Sequence, residues 1–417
     1  MPANPSASPT AKSRSPHRIG IAAGAAVAAA ATAVIALPGS AAHAATATPL
    51  FGPLQVTTDS PRADNGAIFL TPTSATASGV EILSPDGSKV LWSHLVPAGE
   101  TAADFREQTY RGHKVLTWWQ GTGLGGVAVG EDVIYDENYH QIATVRAGNG
   151  YSADGHEFTI TSKNTALIVS YTTATADLTS IGGRADQEVI DGLVQEIDIR
   201  TGKVLFQWNS ADHVPYGQSE QPLPASSSTP RDWFHVNAVK VDTDGNLLVD
   251  ARDTWTTYKV DRRTGRIIWQ LGGKASSFKP VAAPGQSLNT AGTIFAWQHD
   301  PEPLGGDRYS VFDNESAGTA NTGQNSLSEL PWSRTVTVKL DLKHWVATLV
   351  SSNDSPDRLS SPSQGDAQPL PGGHQFVGWG AQNYVSEFDA HGKLVFQAEL
   401  PAEISYRAYR FPWKPAA

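Results

Sequence analysis

The stretch of sequence that decides the fold reads VQEIDIRTGKVLF at residues 194–206 and returns as YKVDRRTGRIIW at residues 258–269. In both copies apolar residues alternate with polar ones, a D-x-x-G-like turn follows, and the second run carries an aromatic residue. Related runs complete a set of six and occupy residues 80–92, 132–143, 336–347 and 385–396. The fifth copy in chain order lacks the turn glycine. Alternation on both sides of such a turn predicts a β-hairpin.

A second type of hairpin alternates with the first. It is clearest at residues 156–170, 235–249 and 299–311, and degenerate copies lie at 104–118 and 368–379. Two hairpins per unit make a four-stranded blade, and six such units make a ring. The sequence therefore predicts an all-β fold, a six-bladed β-propeller with four-stranded blades. Two stacked β-domains are the alternative, which the lack of a linker-like composition between two halves disfavours.

The first 44 residues have the order of features of a secretory signal peptide. Three basic residues lie between positions 12 and 18, an apolar run covers residues 19–37, and A-H-A at 42–44 fits a cleavage site. We therefore expect residues 1–44 to be removed and residues 45–417 to form a single propeller domain. The mature protein would be secreted, outside the cell or in its envelope, without stable membrane insertion. Retention of the apolar run as an anchor is the alternative.

Composition excludes several classes of function. The chain has 31 Lys and Arg residues against 41 Asp and Glu residues and shows no basic stripe, so nucleic acid and anionic membranes are poor partners. Cysteine is absent, which excludes disulfides, thiol catalysis, Fe–S clusters and thiolate zinc sites. Nothing in the sequence indicates an oligomeric state.

Three histidines begin the three clear copies of the second hairpin at the same phase: His156, His235 and His299. Equivalent positions of a propeller are related by rotation about its central channel. If these positions face the channel, the three imidazoles converge there. The alternative is that the repeat has copied a structural histidine.

Other polar residues fall near the same end of these hairpins. Arg252 ends the hairpin that begins at His235, and Asn237 points to the same side of the strand as that histidine. Asn314 closes the hairpin of the third histidine. Arginine forks and imidazoles are donors for oxyanions, so the set predicts an anion-binding site. Pairing of the arginine with a neighbouring aspartate is the alternative.

Two tryptophans and one glycine-rich motif need separate interpretation. Trp233 and Trp297 each lie two residues before a histidine and are predicted to border an aromatic substrate, although packing between blades is the usual role of such residues. The G-x-G-x-x-G motif at 121–126 precedes strand-like sequence, so it is interpreted as a turn. Histidines can bind metal, but no H-E-x-x-H pattern accompanies these three. The sequence thus indicates no metal or other cofactor.

Six short motifs carry a resemblance to a known family. They are DFREQTYRG at 104–112, GNGYSADGHEF at 148–158, FHVN at 234–237, DARDTW at 250–255, WQHD at 297–300 and FVGWG at 376–380. With these motifs the chain resembles the arylsulfotransferase family, most closely its secreted actinobacterial-type members, over roughly residues 60–415. Members of that family are six-bladed propellers that move a sulfuryl group from an aryl sulfate to a phenol without a nucleotide sulfate donor.

The resemblance implies roles for individual residues. His299 would be the nucleophile and form a transient sulfohistidine. His235 and Asn237, with Arg252, would bind the sulfuryl oxygens, and His156 would be a further sulfate ligand or proton-transfer group. The partners would be a small aryl sulfate donor and a phenolic acceptor. Two rivals stay open: hydrolysis of the same esters, and a non-catalytic propeller that binds an anionic ligand, glycan or protein in its funnel.

Overall fold

A computed structural model describes residues 52–123, 127–226, 229–318, 327–401 and 404–414. The expected signal peptide lies outside the described residues, as does the second half of the glycine-rich motif. The described chain folds into six β-sheets arranged as the blades of a propeller around a central channel. This confirms the predicted fold class.

Every blade has a core of four antiparallel strands, which follow one another from the channel outward. The first three blades consist of β27 (Ile404–Phe411), β2 (Ala67–Thr73), β3 (Gly79–Leu83) and β4 (Val90–Leu95); of β5 (Thr101–Tyr110), β6 (His113–Thr122), β7 (Val129–Tyr135) and β8 (Gln141–Val145); and of β9 (Phe158–Ile160), β10 (Thr165–Ala176), β11 (Gln187–Asp198) and β12 (Val204–Asn209). The last three consist of β14 (Val236–Val241), β15 (Leu247–Ala251), β16 (Thr256–Val260) and β17 (Ile267–Gly272); of β19 (His299–Gly305), β20 (Arg308–Asp313), β21 (Arg334–Asp341) and β22 (Val346–Asp354); and of β23 (Asp366–Pro369), β24 (Gln375–Gly378), β25 (Tyr384–Phe388) and β26 (Leu394–Glu399).

Three further strands extend individual blades. β13 (Arg231–Asp232) runs parallel to β11, β18 (Lys279–Ala282) runs parallel to β22, and β1 (Gln55–Asp59) pairs antiparallel with β26. The sequence pattern around β18, over residues 274–293, predicts only a loop. The strand has four residues and includes a proline, which is too short and irregular a run to show alternation.

Helical structure is limited to short 3-10 turns in the described residues. They are Thr179–Ile181, Ser210–Asp212, Tyr216–Gln218, Arg252–Thr254, Pro356–Arg358 and Pro371–Gly373. Within the described part of the chain, no helix is long and apolar enough to cross a membrane.

The repeated hairpin with the D-x-x-G-like turn forms the two outer strands of each four-stranded core. Its turn needs one residue at positive φ, and the glycine there, such as Gly202 (φ 69°) or Gly265 (φ 73°), adopts it without strain. Two copies lack glycine there and place Tyr139 (φ 63°) and Trp345 (φ 54°) at this position instead. Asp341 stabilises the second of these turns, because its Oδ1 accepts the backbone N–H groups of Lys343 (3.0 Å) and His344 (2.9 Å).

The ring is closed by both ends of the described chain. The last described strand, β27, is the innermost strand of the first blade and pairs with β2, while β1 is the outermost strand of the sixth blade. Buried apolar clusters fill the space between neighbouring blades. The largest joins the third and fourth blades and includes Trp208 and Phe234, whose ring centroids are 5.8 Å apart.

Charged side chains fill the middle of the channel. The group, called the channel network below, comprises Asp104, Arg106, Glu157, Lys240, Asp300, Glu302 and Arg407. Lys240 Nζ lies 3.0, 2.8 and 2.8 Å from carboxylate oxygens of Glu157, Asp300 and Glu302. Burial alone would raise the pKa of Glu157, but its three cationic neighbours hold that pKa well below the usual range. The network therefore links side chains of the inner strands β5, β14, β19 and β27.

Candidate functional site at the channel mouth

The three histidines lie at the same end of the channel, where the inner strands begin. His156 comes two residues before β9, His235 directly precedes β14, and His299 is the first residue of β19. All three are buried. The rings of His156 and His235 are perpendicular, with centroids 5.0 Å apart. Asn237 connects His299, the nucleophile candidate, to this pair. Its Nδ2 donates to the carbonyl of Gln298, the residue before His299, at 2.7 Å.

Each of the three rings is held through its Nδ1 atom. His299 Nδ1 bonds Asn314 Oδ1 (2.7 Å), His235 Nδ1 bonds Asp232 Oδ2 (2.5 Å), and His156 Nδ1 contacts an Asp154 carboxylate oxygen. Among the described residues, none bonds Nε2 of His156 or His235. This arrangement fixes ring orientation and leaves the Nε2 atoms for a ligand.

The hydrogen bonds of Asn314 determine the tautomer of His299. Both protons of Asn314 Nδ2 are donated, to the carbonyls of Ser361 (2.8 Å) and Gln364 (3.0 Å), so its Oδ1 must be the acceptor toward the imidazole. His299 therefore carries its proton on Nδ1 and a lone pair on Nε2. That lone pair accepts only a long hydrogen bond, 3.3 Å, from the Gln364 backbone N–H.

The pKa values of two histidines are shifted in opposite directions. Burial, together with the positive charge of Arg252, lowers the pKa of His299 well below its ordinary value, so its ring is neutral. Burial alone would also lower the pKa of His235, but the carboxylates of Asp232 and Asp253 raise it above the ordinary value. An imidazole with a lowered pKa thus lies in the same site as one with a raised pKa, an arrangement typical of paired acid and base roles.

Arg252 lies against the same site but is largely engaged. Its NH1 donates to Asp253 (2.7 Å) and its NH2 donates to the carbonyls of Ala317 (2.7 Å) and Pro362 (2.8 Å). The pairing with a neighbouring aspartate, the alternative considered from the sequence, does occur, but it is buried. The guanidinium therefore acts as a fixed positive charge, with only Nε unbonded among the described residues.

The other predicted residues are placed in different ways. Asn237 lies on the histidine side of β14, and its Oδ1 has no partner among the described residues. Asn314, predicted to bind substrate, bonds His299 directly. Trp297 is fully buried and its ring lies 5.2 Å from the guanidinium carbon of Arg252. Trp233 instead donates its N–H to Asp191 (2.8 Å) in the packing between blades, and no described contact brings it to the histidines.

Several residues of this site were missed by sequence reasoning. Asp154 and Asp232 anchor two of the histidines, and their spacing of two and three residues before His156 and His235 was a readable signal. The 361–364 segment, whose Gln364 contacts His299, lies in a loop without any repeat. Tyr406 donates its hydroxyl proton to the His156 carbonyl (3.2 Å) from β27, a position that no local pattern indicates.

The geometry favours an oxyanion over a single metal ion between the histidines. A metal requires ligand atoms packed closely around it at about 2.0–2.1 Å. In the described residues, the three histidines form no set with ligand atoms within 4.8 Å of one another, and the one set that does is Asp232, His235 and Asp253. The carboxylates of that set already bind the imidazole, Arg252 and Gln221.

Fold and site together define a β-propeller with a buried imidazole and guanidinium centre at one end of its channel. A family model described as Arylsulfotransferase (ASST) matches residues 106–400, which is well over half of the chain. The chain therefore belongs to the arylsulfotransferase family. The family match supports a sulfotransferase activity with small aryl sulfate and phenol substrates. No curated protein matches the sequence.

The solved structures to which this chain is similar are distant in sequence. A protein of unknown function from Bacteroides caccae is 11% identical with a TM-score of 0.45, over 83% of this chain and 98% of that one. A functionally unknown protein from Desulfotomaculum acetoxidans is 12% identical with a TM-score of 0.40, over 83% and 98%. A catalytically inactive virginiamycin B lyase from Staphylococcus aureus, with quinupristin, is 8% identical with a TM-score of 0.40, over 85% and 88%. These likenesses add nothing to the family assignment or to the activity.

Proposed function

We propose that this chain is a secreted sulfotransferase that moves a sulfuryl group from an aryl sulfate to a phenol through a sulfohistidine on His299. The observation that carries the proposal is the fixed tautomer of His299, a buried neutral imidazole whose Nε2 lone pair is available. In the first half-reaction Nε2 attacks sulfur, the N–S bond forms and the sulfur–aryl oxygen bond breaks. The Asn314 acceptor supports the Nδ1–H of the sulfated ring.

His235 supplies the proton for the departing phenolate. Its raised pKa favours the protonated ring, which gives its proton to the phenolate oxygen as that oxygen leaves. In the second half-reaction the acceptor hydroxyl gives its proton back to His235 while its oxygen attacks sulfur. The N–S bond then breaks and His299 returns to its neutral form. The protons balance over the cycle, and the scheme predicts ping-pong kinetics.

Fixed charge around the site would stabilise the transition state. Sulfuryl transfer, like phosphoryl transfer, spreads negative charge over peripheral oxygens, and preorganised donors lower its barrier. Arg252 provides such a charge, and the Gln364 N–H lies 3.3 Å from the attacking nitrogen. No step in this scheme requires a nucleotide sulfate donor. The N-terminal leader is the basis for proposing export of the mature protein.

The test measures transfer and the covalent intermediate together. The mature protein is incubated with 4-nitrophenyl sulfate, with and without phenol, and the nitrophenol released is followed. Intact-protein mass spectrometry with donor alone should show an added SO₃ group that His299→Ala abolishes. His344→Ala, which removes an exposed histidine on the β21–β22 turn, serves as the matched control and should react like the parent. Release that is independent of phenol would indicate hydrolysis, and a folded protein without any adduct would contradict the mechanism.

A further inference from the structure

Two buried tryptophans beside the site carry N–H groups without a partner. Trp255 and Trp297 are 7% and 0% exposed, and their rings meet at 74° with centroids 5.3 Å apart. Neither Nε1 atom has a hydrogen-bond partner among the described residues. Buried indole N–H groups are ordinarily bonded, since leaving one unpaired costs free energy. Two such groups on rings in contact with each other therefore call for an explanation.

The backbone at both positions is strained as well. Trp255 has φ 51° and Trp297 has φ 57°, in the left-handed region that bulky residues avoid. Trp255 ends the 3-10 turn that begins at Arg252, and Trp297 stands two residues before His299. Strain of this kind persists where the surrounding structure enforces it, and it concentrates at functional sites.

A third unpaired donor belongs to the same cluster. The guanidinium carbon of Arg252 lies 5.2 Å from the Trp297 ring, and its Nε–H has no partner among the described residues. The cluster is close to the nucleophile. The 361–364 segment joins them, because its Pro362 carbonyl accepts from Arg252 and its Gln364 N–H bonds His299 Nε2.

We propose that the indole N–H groups of Trp255 and Trp297, together with the Arg252 Nε–H, donate to the non-bridging oxygens of the sulfuryl group. A tetrahedral oxyanion offers several acceptors at once, which matches three donors that the described residues do not satisfy. This assignment rests on the proposed function and adds Trp255 to the site. It also gives Trp297 a different role, that of an N–H donor rather than an apolar wall for the aryl ring.

Trp255→Phe and Trp297→Phe test the assignment, because each removes the N–H and keeps an aromatic ring. Trp208→Phe is the matched control, since that buried tryptophan bonds the Gly265 carbonyl (3.0 Å) on an outer hairpin. Each site variant should lower kcat/KM for 4-nitrophenyl sulfate by about 10- to 100-fold, the loss typical of a hydrogen bond to a charged group. Calorimetric affinity for inorganic sulfate should also fall, while the control keeps both values.

The two site variants should also lose less thermal stability than the control, because all three variants lose the same buried ring volume and only the control loses a described hydrogen bond. Site variants that turn over and bind sulfate like the parent would overturn the assignment and leave the sulfotransferase proposal intact. If the parent shows no turnover but its sulfate affinity depends on both tryptophans, the donor cluster stands and the transfer proposal fails.

Discussion

Replacing Asn314 by leucine tests the geometry on which His299, the proposed nucleophile, depends. Asn314 is fully buried and makes three hydrogen bonds, to His299 Nδ1 (2.7 Å) and to the carbonyls of Ser361 (2.8 Å) and Gln364 (3.0 Å). Leucine has a similar size and can make none of them. The Ser361 carbonyl would still accept from Ser333 Oγ at 3.2 Å. The His299 Nδ1–H and the Gln364 carbonyl would be left unpaired.

The expected loss of stability follows from the two polar groups that the substitution leaves unpaired. A buried polar group without a partner costs about 1–3 kcal/mol, so the free energy of unfolding should fall by about 2–6 kcal/mol. Loss of the acceptor also lets the imidazole proton move to Nε2 and lets the ring turn. The hydrogen bond to Asn314 favours the Nδ1–H tautomer by about 1 kcal/mol. Losing that preference and misplacing Nε2 should together lower kcat/KM by about 10- to 100-fold.

The assay combines urea unfolding with transfer from 4-nitrophenyl sulfate to phenol. Gln195→Leu is the control, because Gln195 is fully buried on β11 and exchanges two hydrogen bonds with the Gly148 backbone (2.9 and 3.1 Å), outside the site. It should lose stability and keep its kcat/KM. If folded Asn314→Leu protein transferred at the parent rate, the role assigned to the His299 tautomer would be refuted.

Three further predictions concern pH, the channel network and ring closure. The transfer rate should fall at low pH, because His299 becomes protonated at a pH below its ordinary pKa, and at high pH, because His235 loses its proton at a pH above its ordinary pKa. In a pH–rate profile, Asp232→Asn should move only the alkaline limb, to lower pH. Lys240→Met removes a cation 2.8–3.0 Å from three carboxylates, so urea unfolding should show a loss of about 3–5 kcal/mol, and an unchanged midpoint would contradict the pairing. Deleting residues 404–417 removes β27, so cooperative thermal unfolding should vanish in calorimetry; a sharp transition would show that the ring does not need that strand.

Much of the fold was predictable because a repeat multiplies a weak local signal. One hairpin such as that at 385–396 has an ambiguous meaning, but six at similar spacing define blades, and all six form the outer strands. The convergence of the histidines was predicted by the same logic, since position within the repeat implies position around the axis. The strand β18 was missed because it is an addition to one blade, outside the repeat.

The details of the site depend on backbone conformations that the sequence pattern does not encode. Trp233 and Trp297 both precede a histidine by two residues, yet Trp233 packs between blades and Trp297 contacts Arg252. In the first case the left-handed residue is His235 itself (φ 53°), and in the second it is Trp297 (φ 57°). Because the left-handed residue differs between the two copies, tryptophans at equivalent positions of the repeat point in different directions. Alternation alone therefore predicts which residues approach the axis but not which of them face the ligand.

The closing strand sets a condition on when this protein can work. Tyr406 holds the His156 carbonyl, and Arg407 joins Asp104, Glu157 and Asp300 in the channel, so both come from the last of the described strands to be translated. A nascent chain that has completed five blades still lacks the piece that seals its centre. The histidine site and the channel network therefore lack Tyr406 and Arg407 until that strand has been made, and we expect a product terminated before it to be inactive.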